Sequence, residues 1–494
     1  MIAVAEPVRA AGTPALAESL AGLGVPLADL TTDSRAVKRG SVFLAYPGSR
    51  RDGRLHIGEA IARGAAAIVW EGRDFDWRPE WDVPHLAVEG LRERASEIAG
   101  LVYGDPSAKL WMAGVTGTNG KTSVAQWVAQ AFDGLGRRAA VLGTLGNGLV
   151  GERAEARNTT PDPVVLQREL ADYVRRGAKV AAMEVSSHGL DQGRTAGIKF
   201  DVAVFTNLTR DHLDYHGTME AYAQAKFRLF QARGLSRAVI NVDDDWGRVF
   251  AGRLRGTAVE VIGYGLAGGR LRAAGFEQSE AGLRIRFEGE WGAGEVAVPV
   301  LGAFNVSNLL AVTATLLAGG VPFEDALRCV ARLGPVPGRL ERLGGGGAPL
   351  AVIDYAHTPD ALEKALAAVR PVVAPGRRLL CVFGCGGDRD AGKRPIMGEA
   401  AARLADHVIV TSDNPRSEDP QGIIDDVMAG VLSGSVESVA DRQVAIFSAI
   451  HQAGPGDVVL LAGKGHETYQ EIAGVRHPFS DAEVAAAALQ ARPR

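Results

Sequence analysis

GVTGTNGKTS, at residues 114–123, is the strongest structural signal in this chain. It follows a strand-like apolar run and opens a helical pattern, so its glycine-rich turn would present backbone N–H groups and a positive helix end to phosphate. Lys121 adds a charge for the terminal phosphates, and Thr122 offers a hydroxyl to Mg²⁺. The common P-loop pattern has an earlier glycine where this chain has Val115. TGTNGKTS is therefore a narrower form of P-loop, and it predicts a nucleotide triphosphate site rather than a simple glycine turn.

The composition is typical of an enzyme with several globular domains. The 494 residues correspond to about three domains, and 46% of them are hydrophobic and 23% charged. A net charge of −4 gives no basic footprint for nucleic acid, and no apolar run is long enough to span a bilayer. Three cysteines are too few for a disulfide framework. The N-terminal residues lack a signal-peptide pattern, so we expect a cytoplasmic protein.

The alternation of strand-like and helical runs predicts an α/β protein with mainly parallel, doubly wound sheets. We predict three domains, at residues 1–108, 109–336 and 337–494. The first boundary precedes the strand of the P-loop, and the second lies in the linker signal GPVPG at 334–338. Ligands of such sheets bind outside the carboxyl ends of the strands.

Two groups of polar residues follow strand-like runs near the P-loop. Glu184 lies in the run 180–185, which leads into Ser-Ser-His-Gly, and the run 200–206 leads into NLTRDHLDYH at 207–216. Carboxylate, imidazole and hydroxyl groups at one sheet edge suit Mg²⁺ bound to ATP phosphates. Alternatively, Glu184 is a structural buried acid whose hydrogen bonds are all made within the protein. A structural role also remains open for His212 taken alone, for Asp214 and for His216.

Eight segments occur in an order that resembles the Mur ligase family, the ATP-dependent amino-acid ligases of peptidoglycan precursor synthesis. They are TGTNGKTS (116–123), MEVSSHGL (183–190), TNLTRDHLDYHG (206–217), Ala-Lys (225–226), GAFNVSN (302–308), GRLE (338–341), DYAHTPD (354–360) and GKGHE (463–467), preceded by TTDSR (31–35). The resemblance covers essentially the whole chain. It is strongest to the members that add the third residue of the peptide.

The resemblance implies a three-domain α/β fold: a UDP-binding N-terminal domain, a central P-loop ATPase domain and a Rossmann-like, doubly wound C-terminal domain. It also implies the reaction. ATP phosphorylates the γ-carboxylate of D-glutamate in UDP-MurNAc-L-Ala-D-Glu, and the amine of meso-diaminopimelate then attacks the acyl phosphate. A carboxylate alone is a poor acyl donor, and the developing charges need cations such as Mg²⁺.

The resemblance further implies the residues that hold ATP and metal. The ATP contacts are Gly117, Thr118, Asn119, Gly120, Lys121, Thr122, Ser123, Asn305, Asn308, Arg339 and Asp354, with His357 nearby. The metal ligands are Thr122, Glu184, His212 and Lys226, and the catalytic residues are Lys121, Lys226, His212 and Glu184. Lys226 matches a lysine carried as a carbamate, N6-carboxylysine. By its sequence context alone it would be an ordinary helical lysine, although a neutral, desolvated amine can add CO₂.

The resemblance also implies the contacts to the UDP-linked peptide. They are Thr32, Ser34, Ser49, Arg50, Arg51, Asn158, Thr159, Thr160, Ser186, Gln192 and Arg194. Around Ser49 the sequence GSRRDGR departs from the commonest family wording. An exposed turn is therefore the alternative interpretation of that loop.

The choice of amino acid rests on Asp-Asn-Pro-Arg at 413–416, which family members that use meso-diaminopimelate carry. The implied pocket consists of Arg389, Asp413, Asn414, Pro415, Arg416, Gly463 and Glu467. An arginine can bind the distal carboxylate of diaminopimelate bidentately, and lysine would leave that arginine unpaired. Gly-Cys-Gly-Gly at 384–387 does not indicate NAD binding, because the third glycine of that pattern would fall at Arg389.

Two other functions remain as alternatives. A folylpolyglutamate synthase-like ligase shares a related P-loop and a carbamylated lysine, but that family lacks the UDP-binding domain. A nucleotide-binding switch or scaffold would leave Glu184, Lys226 and Arg416 unexplained. We expect small-molecule substrates, no nucleic acid and no membrane span, and the family resemblance implies a monomer.

Overall fold

The computed structural model of the chain describes residues 13–48, 51–156 and 158–492. They form two compact units. Unit 1 contains the described residues up to Tyr264 together with Gly268–Arg270 and Ala311–Pro322, and unit 2 contains Gly265–Ala267, Leu271–Leu310 and the described residues from Phe323 onward. The predicted α/β class with mainly parallel sheets is confirmed, while the three domain boundaries stay predictions. No helix within the described ranges is long and apolar enough to cross a membrane.

The elements of unit 1 alternate between strands and helices. The strands are β1 (Leu30–Thr31), β2 (Val42–Ala45), β3 (Ala67–Glu71), β4 (His85–Val88), β5 (Trp111–Thr116), β6 (Ala139–Gly143), β7 (Gly146–Leu149), β8 (Glu152–Ala154), β9 (Val180–Glu184), β10 (Val202–Phe205), β11 (Arg237–Asn241) and β12 (Glu260–Gly265). The α-helices are α1 (Thr13–Ala21), α2 (Ile57–Ala62), α3 (Leu91–Tyr103), α4 (Lys121–Gly134), α5 (Pro163–Arg175), α6 (Ser187–Asp191), α7 (Leu213–His216), α8 (Met219–Phe227) and α9 (Asp245–Leu254). Short 3₁₀ helices lie at Ser34–Ala36, Gly53–His56, Pro106–Lys109 and Arg228–Gln231.

The sheet order in unit 1 brings the predicted polar residues to one edge. Strands β1 to β4 form a parallel sheet, and the strands of a second sheet that belong to unit 1 follow the order β12-β11-β10-β5-β9-β6-β7-β8. Its neighbours from β12 to β6 are parallel, and β6, β7 and β8 are antiparallel. Thr116 at the end of β5 pairs with Phe205, and Val115 pairs with Glu184. The P-loop and the segments after β9 and β10 therefore leave the sheet side by side.

Unit 2 contains an antiparallel segment followed by a second α/β sheet. Its strands are β13 (Leu271–Ser279), β14 (Gly282–Gly289), β15 (Gly292–Val298), β16 (Glu341–Gly344), β17 (Leu350–Asp354), β18 (Leu379–Phe383), β19 (His407–Val410), β20 (Val436–Ser438), β21 (Val458–Ala462), β22 (Tyr469–Ile472) and β23 (Val475–Pro478). Helix α10 (Phe304–Ala318) has residues in both units, and the helices of unit 2 are α11 (Phe323–Ala331), α12 (Pro359–Val369), α13 (Lys393–Leu404), α14 (Pro420–Met428), α15 (Arg442–Gln452) and α16 (Asp481–Gln490), with a 3₁₀ helix at Arg370–Val372.

The larger sheet of unit 2 is covered on both faces. Its order is β16-β17-β21-β18-β19-β20, and only the β16–β17 pair among these strands is antiparallel. Leu350 and Val352 pack into one apolar core, whereas Ala351 and Ile353 pack into another. Because side chains alternate along a strand, this division means that both faces are buried, as the apolar runs predicted.

Helix α12 shows how the local sequence sets an element boundary. The hydroxyl of Thr358 accepts a hydrogen bond from the N–H of Ala361 at 3.4 Å, and Pro359 occupies the first helical position. A threonine cap satisfies one otherwise unpaired N–H, and proline has no N–H to lose. Leu362, Leu366 and Val369 are buried on one face. Thr358 is therefore the N-cap of α12, and the helix packs through one apolar face.

A buried ion pair joins the starts of α15 and α16. The Arg442 guanidinium donates to both carboxylate oxygens of Asp481, at 2.7 and 2.6 Å, and both side chains are fully buried. It also donates to the carbonyl of Ala462 at 3.0 Å and to that of Ser412 at 3.4 Å. One side chain therefore connects the starts of two helices, the segment after β19 and the end of β21.

Replacing Arg442 by Met should lower the free energy of unfolding of unit 2 by roughly 3–5 kcal/mol, because Asp481 would remain as an unpaired buried charge. The double change Arg442→Met/Asp481→Leu should be less destabilising than either single change. Denaturant unfolding followed by circular dichroism measures both. The matched control is Arg284→Met, which breaks the exposed Arg284–Glu295 pair and should cost less than about 1 kcal/mol. Equal costs at the two arginines would contradict this interpretation.

Candidate functional site

The P-loop lies between β5 and α4 and is held by the end of β10. The N–H of Thr118 donates to the carbonyl of Asn207 at 2.8 Å, and the N–H of Asn119 donates to its Oδ1 at 3.0 Å. Gly117 has φ +150°, and a Cβ there would lie 1.9 Å from Thr206 Oγ1. Glycine is therefore required at position 117. Helix α4 begins at Lys121, so its first-turn N–H groups and positive end lie at the loop.

Two lysines share one carbonyl of this loop. Lys121 Nζ donates to the carbonyls of Gly117 at 3.0 Å and Thr118 at 2.8 Å, and Lys226 Nζ donates to the carbonyl of Gly117 at 2.7 Å. Lys226 is 1% exposed and its ammonium lies 4.4 Å from the centre of the Tyr222 ring. Burial lowers the pKa of Lys226 well below its ordinary value, and the charge of Lys121 lowers it further. The predicted P-loop and Lys226 therefore lie together.

Glu184 lies at the end of β9 beside the first turn of α4. Its carboxylate accepts from Thr122 Oγ1 at 2.9 Å and from the N–H of Thr144 at 2.8 Å. A Cβ at Gly143 would lie 2.2 Å from Glu184 Oε1, so the backbone approaches the carboxylate closely. Glu184 is 1% exposed. Two of the four predicted metal ligands, Thr122 and Glu184, are thus in direct contact.

The histidines after β9 and β10 form a ring cluster. The rings of His188 and His212 lie 4.9 Å apart, and those of His188 and His216 lie 5.5 Å apart. His216 Nε2 lies 3.0 Å from Ser187 Oγ. Burial lowers the pKa of the His212 imidazole, although Asp211 at 3.4 Å opposes this shift. No group of three or more His, Cys, Asp or Glu side chains arranged for a metal occurs among the described residues.

A network of polar residues in unit 1 contains several of the predicted UDP-peptide contacts. Thr159 Oγ1 lies 3.0 Å from Thr144 Oγ1, and Thr160 Oγ1 donates to the carbonyl of Glu184 at 3.0 Å. The N–H of Ser186 donates to Thr160 Oγ1 at 2.9 Å, and Arg194 Nη1 donates to the carbonyl of Thr160 at 2.7 Å.

The guanidinium of Arg194 also donates to Gln192 Oε1. Asn158 is exposed. The loop 158–160 and the segment after β9 thus form one connected surface.

The remaining predicted UDP-peptide contacts lie near the first sheet of unit 1. Thr32, Ser34 and Arg51 line a cavity of about 400 Å³ with Phe43, Tyr46, His56 and Glu59 among its other walls. Thr32 Oγ1 donates to Asp162 Oδ2 at 2.9 Å, and Asp162 caps α5. Burial raises the pKa of the Asp162 carboxyl. Ser49 and Arg50 lie outside the described residues.

In unit 2 the predicted ATP contacts lie at the start of α10, just before β16 and at the end of β17. Asn305 Nδ2 donates to the carbonyl of Leu301 at 2.6 Å, and Asn308 Nδ2 donates to Asn305 Oδ1 at 2.8 Å. The Arg339 guanidinium lies 5.2 Å from the centre of the Tyr355 ring. Its Nε is buried without a hydrogen-bond partner among the described residues.

The two other residues of this group are Asp354, the last residue of β17, and His357, which follows that strand. Asp354 Oδ2 accepts from the N–H of Leu340 at 2.9 Å, and burial raises the pKa of Asp354 while Arg339 opposes the rise. His357 Nδ1 lies 2.8 Å from the carbonyl of Tyr355. The charge of Arg339 therefore acts directly on the Asp354 carboxyl.

The residues predicted to bind the amino acid meet after β18, β19 and β21. Arg416 Nη1 donates to the carbonyl of Gly387 at 2.6 Å and Arg416 Nε lies 3.9 Å from Glu471 Oε2. A Cβ at Gly386 would lie 2.9 Å from Arg416 Nη1 and 3.8 Å from Arg389 Cγ, so the two arginines flank this glycine.

Asn414 and Glu467 are joined, since Asn414 Nδ2 donates to Glu467 Oε2 at 2.8 Å. Asp413 is buried, which raises the pKa of its carboxyl. A Cβ at Gly463 would lie 2.6 Å from Asp413 Oδ2, and one at Gly387 would lie 2.0 Å from the carbonyl oxygen of Pro415. The segments containing these residues therefore pack closely against one another.

Two side chains in these networks carry no role in the sequence analysis. Lys464 is 0% exposed and donates to Glu467 Oε2 at 3.0 Å and to Asn414 Oδ1 at 3.1 Å. Its motif, GKGHE, was recognised, but nothing in the sequence shows that its lysine is buried. Thr144 directly follows the neighbouring strand β6 and contacts Glu184. Its signal would have been the apolar run 139–143, which ends at this threonine.

Comparisons with known proteins agree along the chain. Family models described as Mur ligase family, catalytic domain, Mur ligase middle domain, and Mur ligase, glutamate ligase domain match residues 27–103, 115–316 and 338–465. Relatives named UDP-N-acetylmuramoyl-L-alanyl-D-glutamate–2,6-diaminopimelate ligase include one from Chromobacterium violaceum, 53% identical over 97% of this chain and 97% of its own. Another, from Pseudomonas aeruginosa, is 54% identical over 94% of this chain and 95% of its own.

A solved structure bearing the same protein name gives the same result in three dimensions. It superposes with a TM-score of 0.71 at 38% sequence identity, covering 94% of this chain and 95% of that one. Because both the family models and these relatives extend over most of the length, the chain belongs to the Mur ligase family.

Proposed function

We propose that this chain is an ATP-dependent, ADP-forming ligase that joins meso-diaminopimelate to the γ-carboxylate of D-glutamate in UDP-MurNAc-L-Ala-D-Glu. The observation that carries the proposal is the grouping of the P-loop, Glu184 and Lys226 at one edge of the unit 1 sheet. The choice of substrates follows the names of the two relatives described above. The chemistry needs a phosphate site beside an anion-stabilising group, and this grouping supplies both.

ATP would bind with its phosphates at the P-loop. Lys121 now donates to two loop carbonyls, and we propose that it exchanges them for the more basic oxygens of a terminal phosphate. The start of α4 favours the same negative charge. In unit 2 the buried, unpartnered Nε of Arg339 supports a role for this arginine toward an anionic ligand, since an unpaired buried donor is costly.

Mg²⁺ would be held by Thr122, Glu184, His212 and Lys226 in its N6-carboxylysine form. The donor chemistry fits, because the hydroxyl of Thr122 and the carboxylate of Glu184 are hard oxygen ligands already 2.9 Å apart. When bound, Mg²⁺ would neutralise charge that develops on the phosphate oxygens. The described residues form no ready cluster of acidic, histidine or cysteine ligands, which is consistent with a site that needs the hydroxyl, the carbamate and the phosphates of ATP.

The environment of Lys226 favours carbamate formation. The lowered pKa provides a neutral amine, whose nitrogen can attack the carbon of CO₂. One C–N bond forms, one proton is released to solvent, and the side chain becomes an anion. The carbonyl of Gly117 accepts from the Nζ–H at 2.7 Å, and a carbamate nitrogen keeps one N–H that could still donate to it. This hydrogen bond would orient the new carboxylate.

The UDP-linked peptide would bind along the first sheet and the segment 158–160. The cavity lined by Thr32, Ser34 and Arg51 has room for part of a nucleotide, and we assign the UDP end to it. Arg194, which is fixed by Gln192 and by the carbonyl of Thr160, offers a cation to the peptide carboxylates. The reacting γ-carboxylate oxygen then attacks the γ-phosphorus of ATP and ADP leaves.

The incoming amino acid would bind in the pocket of unit 2. Arg416 can bind the distal carboxylate of diaminopimelate, with Arg389 beside it, and Glu467 can accept from the distal ammonium. Lys464 and Asn414 hold Glu467 in place. The free amine attacks the acyl phosphate carbon, and inorganic phosphate leaves as the amide forms.

The alternatives of the sequence analysis are less well supported. The match to residues 27–103 and the cavity in that region favour a UDP-linked substrate over a folate, since folylpolyglutamate synthases lack this domain. A non-ligating switch would have no use for the amino-acid pocket. We further propose that the chain acts as a cytoplasmic monomer on ATP and nucleotide-linked substrates.

The direct test is phosphate release from ATP, Mg²⁺ and UDP-MurNAc-L-Ala-D-Glu, with meso-diaminopimelate, L-lysine or L-ornithine supplied separately. We expect turnover with diaminopimelate and little with the other two, because only diaminopimelate carries a carboxylate for Arg416. Turnover with lysine would keep the ligase assignment but contradict the specificity. Absence of turnover with all three would contradict the function.

Lys226→Ala should reduce ligation by about 100-fold or more, the scale for losing one electrostatic contact to the reacting groups. Small carboxylic acids should restore part of the activity if a carbamate is the working group. The exposed Lys364, which pairs with Asp360, provides the control: Lys364→Ala should keep full activity. Ordinary activity of Lys226→Ala without added acid would exclude the carbamate.

Arg416→Ala should lower kcat/KM for meso-diaminopimelate by about 30- to 1000-fold, or roughly 2–4 kcal/mol, because the distal carboxylate loses its cation. Steady-state kinetics with varied amino acid measures the change. Arg403→Ala, at an exposed arginine paired with Glu363, should behave like the unmodified protein. If the ratio of activities with diaminopimelate and lysine does not change, another residue recognises the carboxylate.

A further inference from the structure

Thr144 connects the carboxylate of Glu184 to the segment 158–160. It directly follows β6, which pairs in parallel with β9 and so ends beside Glu184. The N–H of Thr144 donates to Glu184 Oε1 at 2.8 Å, and its hydroxyl donates to Glu184 Oε2 at 3.2 Å. The same hydroxyl lies 3.0 Å from Thr159 Oγ1. One residue therefore contacts both carboxylate oxygens and a residue of the proposed peptide-binding segment.

The number of available protons decides which hydroxyl donates in each of these hydrogen bonds. A carboxylate can only accept, so the single hydroxyl proton of Thr144 goes to Glu184. The hydroxyl of Thr159 must then donate to Thr144 Oγ1 for the 3.0 Å contact to be a hydrogen bond. The result is a relay of two hydrogen bonds, from Thr159 to Thr144 and from Thr144 to Glu184, in which each bond polarises the next.

The neighbouring Thr160 makes a different kind of contact. Its hydroxyl donates to the main-chain carbonyl of Glu184 at 3.0 Å. That bond fixes the end of β9 but leaves the carboxylate unaffected. Gly143 approaches Glu184 so closely that a Cβ would lie 2.2 Å from Oε1, which restricts how the carboxylate can move. Gly143 therefore limits the movement of the carboxylate, and Thr144 donates to both of its oxygens.

We propose that Thr144 is a positioning residue that makes binding at the Glu184 carboxylate and binding at the segment 158–160 mutually favourable. This inference rests on the proposed function, in which Mg²⁺ with ATP uses the first place and the UDP-linked peptide uses the second. Either ligand would fix the hydrogen-bond relay Thr159–Thr144–Glu184. The second ligand would then have fewer side chains to order, and its binding would cost less conformational entropy. Such coupling is reciprocal between the two ligands.

The test is isothermal calorimetry of UDP-MurNAc-L-Ala-D-Glu binding, with and without saturating Mg²⁺ and a non-hydrolysable ATP analogue. In the unmodified protein the nucleotide should tighten peptide binding about two- to tenfold, the range of one net hydrogen bond. Thr144→Val replaces the hydroxyl by a methyl group of similar size and should bring this ratio to about one. Thr144→Ser restores the hydroxyl and should recover the ratio. Thr159→Val removes the hydroxyl at the other end of the hydrogen-bond relay and should also bring the ratio to about one.

The matched control is Thr315→Val, at a buried threonine whose hydroxyl donates to the carbonyl of Ala311 within α10. It should leave the ratio unchanged. A ratio of one in the unmodified protein, an unchanged ratio in Thr144→Val, or an equal loss in Thr315→Val would each overturn the inference while leaving the ligase assignment intact. Failure of the unmodified protein to bind either ligand would overturn both.

Discussion

The carbonyl oxygen of Gly117 accepts hydrogen bonds from two ammonium groups, those of Lys121 and Lys226. This arrangement is sterically possible only without a Cβ at position 117, because Thr206 Oγ1 occupies that space. Burial lowers the pKa of Lys226 and repulsion by the charge of Lys121 lowers it further, so the buried ammonium loses its proton more easily. The geometry of a single peptide unit thus prepares both the phosphate-binding lysine and a lysine suited to covalent modification.

Local patterns in the sequence predicted the strands and helices whose formation depends on residues close together in the chain. The strand-like run that contains Glu184 is a buried strand, and Thr358, which precedes a proline, caps α12. The segments β6 to β8 were not predicted: β7 and β8 are short and contain few apolar side chains, and only β6 carries an apolar run. The contact of Thr144 with Glu184 depends on β6 lying beside β9, and sheet order is a property of the whole fold.

The burial of charged side chains could not be predicted either, since lysine and arginine are mostly exposed in proteins. Arg442 and Lys464 are buried beside the proposed amino-acid pocket, and each is paired with a carboxylate. These two side chains support the pocket because the loops after β19 and β21 lie next to each other in the fold. Sequence motifs identified the residues expected to touch a ligand, whereas the side chains that hold those residues lie on other elements and became visible only in three dimensions.

Arg416 already donates to the carbonyl of Gly387 and lies near Glu471. An acceptor without a distal carboxylate would therefore leave this arginine with its internal partners, rather than orphaned as the sequence argument assumed. Discrimination then depends on an exchange of partners: the carboxylate must offer more than the peptide oxygen it displaces. Selectivity then equals the difference in free energy between Arg416 paired with the ligand and Arg416 paired within the protein. An inhibitor would gain affinity here only by being a better hydrogen-bond acceptor than the protein's own backbone.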